Sequence, residues 1–275
     1  MQLILDGKNA AVQIKATLKE KISKLERKLC LAIIFFNDPS SASYLKGRMK
    51  IAEELGVELK IMTIDDSFDN NQLVKLIVDL NKDSDVDGIM IDRPIPKRFN
   101  EPEILSLVSV DKDVDGTNIA SLGKLAAGQD TFVSCTPTAA VELAKFYGIE
   151  FAGKDCLVIG RSVTVGKPLA LLLTNLNATV TIAHSKTVNL KEKTKKADII
   201  FLAVGKANFL KKEDITDKTV IVDIGINFDE NGKLTGDASK DCYELAAAYS
   251  PVPGGVGVMT NVALMENLYK AHIEK

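Results

Sequence analysis

A chain of 275 residues has room for two domains of ordinary size, at roughly 150 residues each. Apolar residues make up 46% and charged residues 26%, with 18 Gly and 8 Pro, which excludes disordered, collagen-like and low-complexity chains. The 35 basic residues against 37 acidic leave a net charge of −2, no field to hold a nucleic-acid backbone or an anionic membrane, so neither is expected as a partner and any anion must be caught locally.

The apolar runs, such as 199–204 and 220–222, fall far short of the roughly eighteen residues that a membrane span needs. The opening stretch MQLILDGKNAA reaches Asp6 with no basic segment ahead of a long apolar one. It does not read as a secretory leader, and the cytoplasm is the expected compartment. Cys30, Cys135, Cys156 and Cys242 form no CxxC pair, and His184 and His272 are the only histidines, so no metal site is expected. Cys30 and Cys156 stand in apolar stretches and read as small buried hydrophobes.

In chain order, periodicity predicts a helix over 9–28, a strand over 29–36, a helix over 41–55, a strand over 57–64, a helix over 70–82 and a strand from 87. This alternation is the pattern of a parallel sheet covered on both faces. A helix is expected over 101–108, and the polar stretch DKDVDGTNIASLGKLAAGQ after it reads as a long loop. From Thr136 the alternation restarts: helix 137–148, strand to 160, helix 166–175, strand to 184, helix 189–195, strand to 205 and strand 219–226. The fold class is therefore α/β with two α/β domains. The tail changes character at PVPGGVGVMT, and an amphipathic stretch over 261–272 closes the chain and can pack back on the first domain. The charged string 191–196 reads as a solvated helix face.

A strand runs into Gly160-Arg161-Ser162-Val163-Thr164-Val165-Gly166 and then into a helix, the context of a dinucleotide-binding turn. The spelling departs from GxGxxG: Ser162 occupies the middle glycine's place and the last glycine falls one residue late. Taken alone, the turn is equally a plain connection between strand and helix. At the end of the next strand, where a binder of unphosphorylated dinucleotide carries an acid against the ribose, stands His184-Ser185-Lys186-Thr187. Ser185, Lys186 and Arg161 can all donate to a phosphate, which favours NADP over NAD.

The tail PVPGGVGVMT, the loop KDVDG at 112–116, the turn GRSVTVG, the run HSKT, NDPSSASY at 37–44 and the pair Thr136-Pro137 together resemble one family, the methylenetetrahydrofolate dehydrogenase/cyclohydrolases of the FolD type. The likeness spans nearly the whole chain. It implies a folate-binding catalytic domain over 1–136 plus 253–275 and a Rossmann-like NADP-binding domain over 137–252. The two would flank a cleft, with the last helix returning to the first domain, and two copies would pair through the NADP domains as a homodimer. The implied chemistry is oxidation of 5,10-methylenetetrahydrofolate with NADP, then hydrolysis of the methenyl product to 10-formyltetrahydrofolate.

Carried over by position, Gly160, Arg161, Ser162, Ser185, Thr187 and Ile226 would contact the cofactor, while Tyr44, Pro94, Asp115, Gly254 and Gly255 would contact the folate. A pterin presents an amino group beside a ring N–H, two donors that one carboxylate accepts together, which suits Asp115. Its other reading is a turn-forming aspartate, and Gly254-Gly255 reads equally as a tight crossover.

Two positions depart from the family, whose tyrosine is followed four residues later by a lysine working with a glutamine ahead of a Pro-x-Pro turn. Here Tyr44 is followed by Arg48, and Asp92 stands ahead of Pro94-Ile95-Pro96. Lys46 and Lys50 fall off the Tyr44 face. A guanidinium stays charged and cannot serve as a base, so Arg48 and Asp92 are expected to form a matched pair across the cleft. Asp92 is then the candidate base, and Arg48 and Tyr44 position the attacking water. A carboxylate so paired gives up basicity, so hydrolysis is expected to run more feebly than oxidation. Two alternatives stand beside this: a dehydrogenase without the hydrolytic step, and a non-catalytic folate- or nucleotide-binding protein.

Overall fold

The computed structural model describes residues 2–39 and 41–274. The chain divides into two compact units: one takes in Thr136–Thr260 with the first residues through Val12, the other Gln13–Cys135 with the chain from Asn261 on.

The second of these units is built around a three-stranded parallel sheet. Ahead of it come the strand β1 (Leu3–Ile4), which belongs elsewhere, and α1 (Gly7–Ile22). Then follow β2 (Cys30–Phe35), α2 (Ala42–Leu55), β3 (Glu58–Thr63), α3 (Asn70–Lys82) and β4 (Gly88–Ile91), with strand order β3-β2-β4. Every residue of the central strand β2 is buried, because a parallel strand covered on both faces needs apolar side chains on both. On α3, Leu73, Ile77 and Leu80 form the buried stripe, and Asp69 with Gln72 makes a capping box at its start. Both α4 (Glu101–Ser106) and α5 (Ile119–Ala126) lie in the polar stretch that follows.

The carboxyl end of the chain is fastened to this unit by the fully buried Asp87. Its Oδ1 accepts from Arg27 Nη2 at 2.6 Å and lies 2.9 Å from His272 Nδ1, while Oδ2 accepts from Arg27 Nη1 and from the Cys30 N–H, both at 2.9 Å.

The other unit begins with α6 (Cys135–Phe146), β5 (Asp155–Ile159), α7 (Gly166–Asn175), β6 (Thr179–Ala183), α8 (Leu190–Lys196), β7 (Ile199–Leu202) and β8 (Val220–Asp223). A small antiparallel pair, β9 (Asn227–Phe228) with β10 (Leu234–Thr235), precedes α9 (Lys240–Leu245), β11 (Ala248–Tyr249) and the long α10 (Val256–Ile273). Its main sheet is parallel and six-stranded, ordered β1-β11-β8-β7-β5-β6.

Three expectations are corrected. The first domain does not start at residue 1: β1 pairs with β11 (Leu3↔Ala248) and completes the second-half sheet. The tail returns later than 253, since the division falls at Asn261, inside α10. The stretch 111–129 is not all loop, because α5 forms within it, capped by the Asn118 side chain accepting from the Ala120 N–H at 2.7 Å. All four cysteines are buried and free. Among the described residues no helix is long and apolar enough to cross a membrane.

Candidate active site

Tyr44 and Arg48 lie one turn apart on α2, Tyr44 exposed and Arg48 buried. Asp92 follows directly on β4, where its N–H donates to the Ile34 carbonyl at 2.9 Å and extends the sheet ladder by one residue. This is the carboxyl end of the parallel strands, where open α/β sheets bind ligands. Arg48 Nη1 donates to Asp92 Oδ1 at 2.7 Å, with the two side chains 10% and 4% exposed. Arg48 Nε and Asp92 Oδ2 are buried with no hydrogen-bond partner among the described residues. The expected pair therefore forms, within a single unit of the chain.

Asp115 is set by the loop before it. Lys112, buried, donates to the Leu80 and Asp83 carbonyls at 3.0 and 2.6 Å and so ties the loop to the end of α3. Asp113, also buried, accepts from the Thr117 N–H at 3.0 Å, the Asn118 N–H at 2.9 Å and Ser121 Oγ at 2.7 Å. Burial still pushes the Asp113 carboxyl up to about 6, against those hydrogen bonds. The Cys135 thiol donates to the Val114 carbonyl at 3.6 Å, next to Asp115 in the chain. Burial raises the Asp115 carboxyl above the ordinary range, and the charges of Arg93 and Arg48 oppose that. The structure thus brings Tyr44, Arg48, Asp92, Pro94 and Asp115 into one unit. Arg93, next to Asp92 in the chain, donates through Nε to Glu101 Oε1 at 2.9 Å.

Gly254 and Gly255 belong to the other unit. Gly254 has φ +108, and its carbonyl accepts from the Gly7 N–H at 2.8 Å. A Cβ on Gly7 would come within 2.1 Å of the Gly255 carbonyl, and one on Gly255 would meet the Pro251 carbonyl at 2.6 Å, so local packing alone demands glycine at 7 and 255.

The strand-turn-helix at 160–166 is formed as expected. Gly160 has φ +133, and a Cβ there would meet the Ala203 carbonyl at 2.4 Å; one on Gly166 would meet the Gly160 carbonyl at 2.1 Å. Only glycine fits either place. Ser162 Oγ accepts from the Val165 and Gly166 N–H groups at 3.1 and 3.4 Å and caps the entry to α7. Arg161 and Ser162 are exposed, and so are Ser185 and Lys186 at the end of β6. Thr187 shapes that second turn: its hydroxyl accepts from the His184 N–H at 2.8 Å, and its own N–H returns to the His184 carbonyl at 2.8 Å. Glycines that admit close backbone approach, a helix start beyond them and exposed donors without a facing acid fit a phosphorylated dinucleotide.

Ile226 is exposed on the loop after β8. Asp237 holds that loop to the one after β7, accepting from the N–H groups of Val204 at 2.7 Å, Gly205 at 3.1 Å and Lys206 at 2.8 Å, and from Asn227 Nδ2 at 2.9 Å. Asp223 supports it, accepting from the Asp237 and Ala238 N–H groups at 3.1 and 2.8 Å and from the Tyr243 hydroxyl at 2.6 Å.

Two family models match the chain. Residues 5–115 match the tetrahydrofolate dehydrogenase/cyclohydrolase catalytic domain, and residues 134–275 match the NAD(P)-binding domain of the same family. The bifunctional protein FolD of Bacillus subtilis is 42% identical over 273 residues, covering 98% of this chain and 96% of that protein. The one from Campylobacter hominis is 43% identical over 276 residues, covering 98% and 97%. Among solved structures, bifunctional FolD from Campylobacter jejuni superposes with a TM-score of 0.97 at 37% identity, over 100% of this chain and 99% of that one. The Trypanosoma brucei enzyme, complexed with NADP cofactor and inhibitor, superposes with a TM-score of 0.91 at 28% identity over the same shares. Matched in both halves by the models of one family, and closely akin to its bacterial representatives from end to end, the chain belongs to the tetrahydrofolate dehydrogenase/cyclohydrolase family.

Proposed function

We propose that this chain oxidises 5,10-methylenetetrahydrofolate to the 5,10-methenyl form with NADP and hydrolyses that product to 10-formyltetrahydrofolate. Asp115 accepts from the amino group and ring N–H of the pterin, supported by a carboxylate kept clear of competing donors by the Lys112 and Asp113 anchors. Pro94, in the same unit, lines the folate. Bound NADP supplies the hydride acceptor, held by Gly160, Arg161, Ser162, Ser185, Thr187 and Ile226. The exposed cation at Arg161 and the absence of an acid from 184–187 support NADP over NAD.

The observation that carries the hydrolytic step is the buried Arg48–Asp92 pair, in which Asp92 Oδ2 has no donor of its own among the described residues. Asp92 balances Arg48, so a cationic methenyl carbon is not met by an uncompensated guanidinium. Tyr44 and Arg48 position a water whose oxygen bonds to that carbon while Asp92 Oδ2 takes its proton. The bond from the carbon to N5 then breaks, the hydroxyl proton passes to N5, and the formyl group stays on N10.

Two copies would pair through the NADP-binding units. The open edge of the six-stranded sheet at β6, with Ile182 and Val188 exposed, supports this. Four unpaired thiols support a reducing, cytoplasmic setting, and the balanced net charge supports a small-molecule partner rather than nucleic acid or membrane.

The test is an assay that reads methenyl and formyl products separately. Both are expected from methylenetetrahydrofolate and NADP; methenyl alone would leave a dehydrogenase without hydrolysis, and neither would leave a binding protein.

A further inference from the structure

Two loops at the carboxyl end of the six-stranded sheet are tied to one residue. Asp237 is fully buried, and its carboxylate accepts from three successive N–H groups after β7, those of Val204, Gly205 and Lys206, and from Asn227 Nδ2 after β8. A Cβ on Gly225 would meet Asp237 Oδ1 at 2.2 Å, so the second loop also packs closely on that carboxylate. Ile226, 46% exposed, is thereby gripped on both sides, and Val204, 37% exposed, hangs on the same group by its N–H. Two outward apolar side chains thus stand on backbone that one buried acid fixes. The strand order β8-β7-β5-β6 sets the turn at 160–166 between these loops and the run 184–187. A dinucleotide whose phosphorylated adenosine half occupies the β6 side has to continue over β7 and β8.

We propose that Asp237 is a positioning residue for the nicotinamide half of NADP. This rests on the cofactor assignment made above, in which Arg161 and Ser185 take the phosphorylated half. Asp237 acts through the two loops: it fixes the height and spacing of Val204 and Ile226, the floor for the ring, and so the place of the carbon that receives the hydride. A misplacement of about 1 Å at a reacting atom costs on the order of a hundredfold in rate. An amide in place of the carboxylate has a single accepting oxygen and turns its own N–H donors toward donors that need an acceptor. The loops then lose their common anchor with almost no change in bulk.

The experiment titrates the full chain and its Asp237→Asn and Asn227→Ala variants with adenosine 2′,5′-bisphosphate and with NADPH, following the fluorescence of the bound nicotinamide. Both variants are expected to bind the bisphosphate within about twofold of the wild type and NADPH about tenfold more weakly, the worth of roughly one hydrogen bond. The emission of bound NADPH should move toward that of the free cofactor. In the oxidation of methylenetetrahydrofolate, kcat should fall by a larger factor than KM for the folate rises. Asn227→Ala cuts only the tie to the second loop, and it carries the comparison if Asp237→Asn does not fold. NADPH affinity and emission that match the wild type overturn the proposal, and so does an equal loss for NADPH and the bisphosphate, which would mean that Asp237 supports the unit as a whole. A wild type that binds NADPH but not the bisphosphate would instead overturn the assignment of the phosphorylated half to Arg161 and Ser185.

Discussion

Arg48 Nη1 meets Asp92 Oδ1 at 2.7 Å in a place nearly closed to solvent, at the two positions where the chain departs from its family's lysine and glutamine. Removing one partner of a buried pair leaves an uncompensated charge and costs about 3–5 kcal/mol. Arg48→Ala and Asp92→Ala should therefore each lower stability by that order and abolish methenyl hydrolysis. The double change Arg48→Lys with Asp92→Gln restores the family's pairing without a stranded carboxylate. It should fold and hydrolyse methenyltetrahydrofolate faster than the wild type. Single variants that hydrolyse at the wild-type rate would remove both residues from the chemistry.

Arg161 is exposed on the phosphate turn, with no acid in the facing run 184–187. A hydrogen bond from a charged group is worth about 1.5–3 kcal/mol, so Arg161→Ala should lower the ratio of kcat/KM for NADP over NAD at least about tenfold. An undiminished preference would mean that another group reads the phosphate.

In the proposed function Asp115 binds the pterin as the anion, and burial raises its carboxyl above the ordinary range. Folate affinity should consequently fall on acidification at a pH where an exposed aspartate is still fully ionised. Asp115→Ala should bind tetrahydrofolate tens of times more weakly or worse, by about 2–5 kcal/mol, and its affinity should no longer follow that limb. Titration calorimetry across pH reads both effects; an unchanged dissociation constant makes Asp115 a turn residue.

The elements most legible in the sequence were those whose periodicity is set by burial. The all-buried strand β2 and the stripe Leu73, Ile77, Leu80 on α3 are cases in point. Helix α5 was hidden because its eight residues span little more than two turns, too few for a period to stand out from a loop, and its start is fixed by the Asn118 cap. Strand β1 was illegible for another reason: two residues carry no period, and Leu3 pairs with Ala248, a partner that lies far along the chain. At the site, the Arg48–Asp92 pair could be read from charge complementarity. The anchoring of Asp115 by Lys112 and Asp113 could not, since it depends on carbonyls of α3 and on N–H groups of a loop whose path only the fold defines.

Asp87 joins Arg27, the Cys30 N–H and His272, and so links the last helix to the start of β2. Asp87→Ala should cost about 1–3 kcal/mol, since it leaves the Cys30 N–H without its acceptor and frees the helix end, while the partly exposed Arg27 turns to solvent. The loss should be visible in denaturant unfolding and as faster hydrogen exchange near the carboxyl terminus. A variant as stable as the wild type would mean that apolar packing alone holds that helix.

Asp113 and Asp223 are both buried, and burial pushes each carboxyl up to about 6. A raised folded-state value means that the folded chain binds the proton more tightly than the unfolded chain does. The stabilisation is full below the ordinary carboxylate value and is lost as pH rises through about 6. The full effect is on the order of 2–3 kcal/mol per group. Carboxylates held low by partners, such as Asp130 beside Lys270 and Glu54 beside Lys15, act in the opposite sense and weaken the fold only in stronger acid. Asp113→Asn should destabilise at every pH, because an amide cannot accept from Thr117, Asn118 and Ser121 together. Its deficit relative to the wild type should nevertheless be largest in mild acid and shrink by up to about 2 kcal/mol toward neutral pH, as the wild type alone loses the proton. Chemical denaturation of both proteins across that range measures the gap; a deficit that stays constant, or widens with pH, would show that Asp113 is ionised in the folded chain throughout.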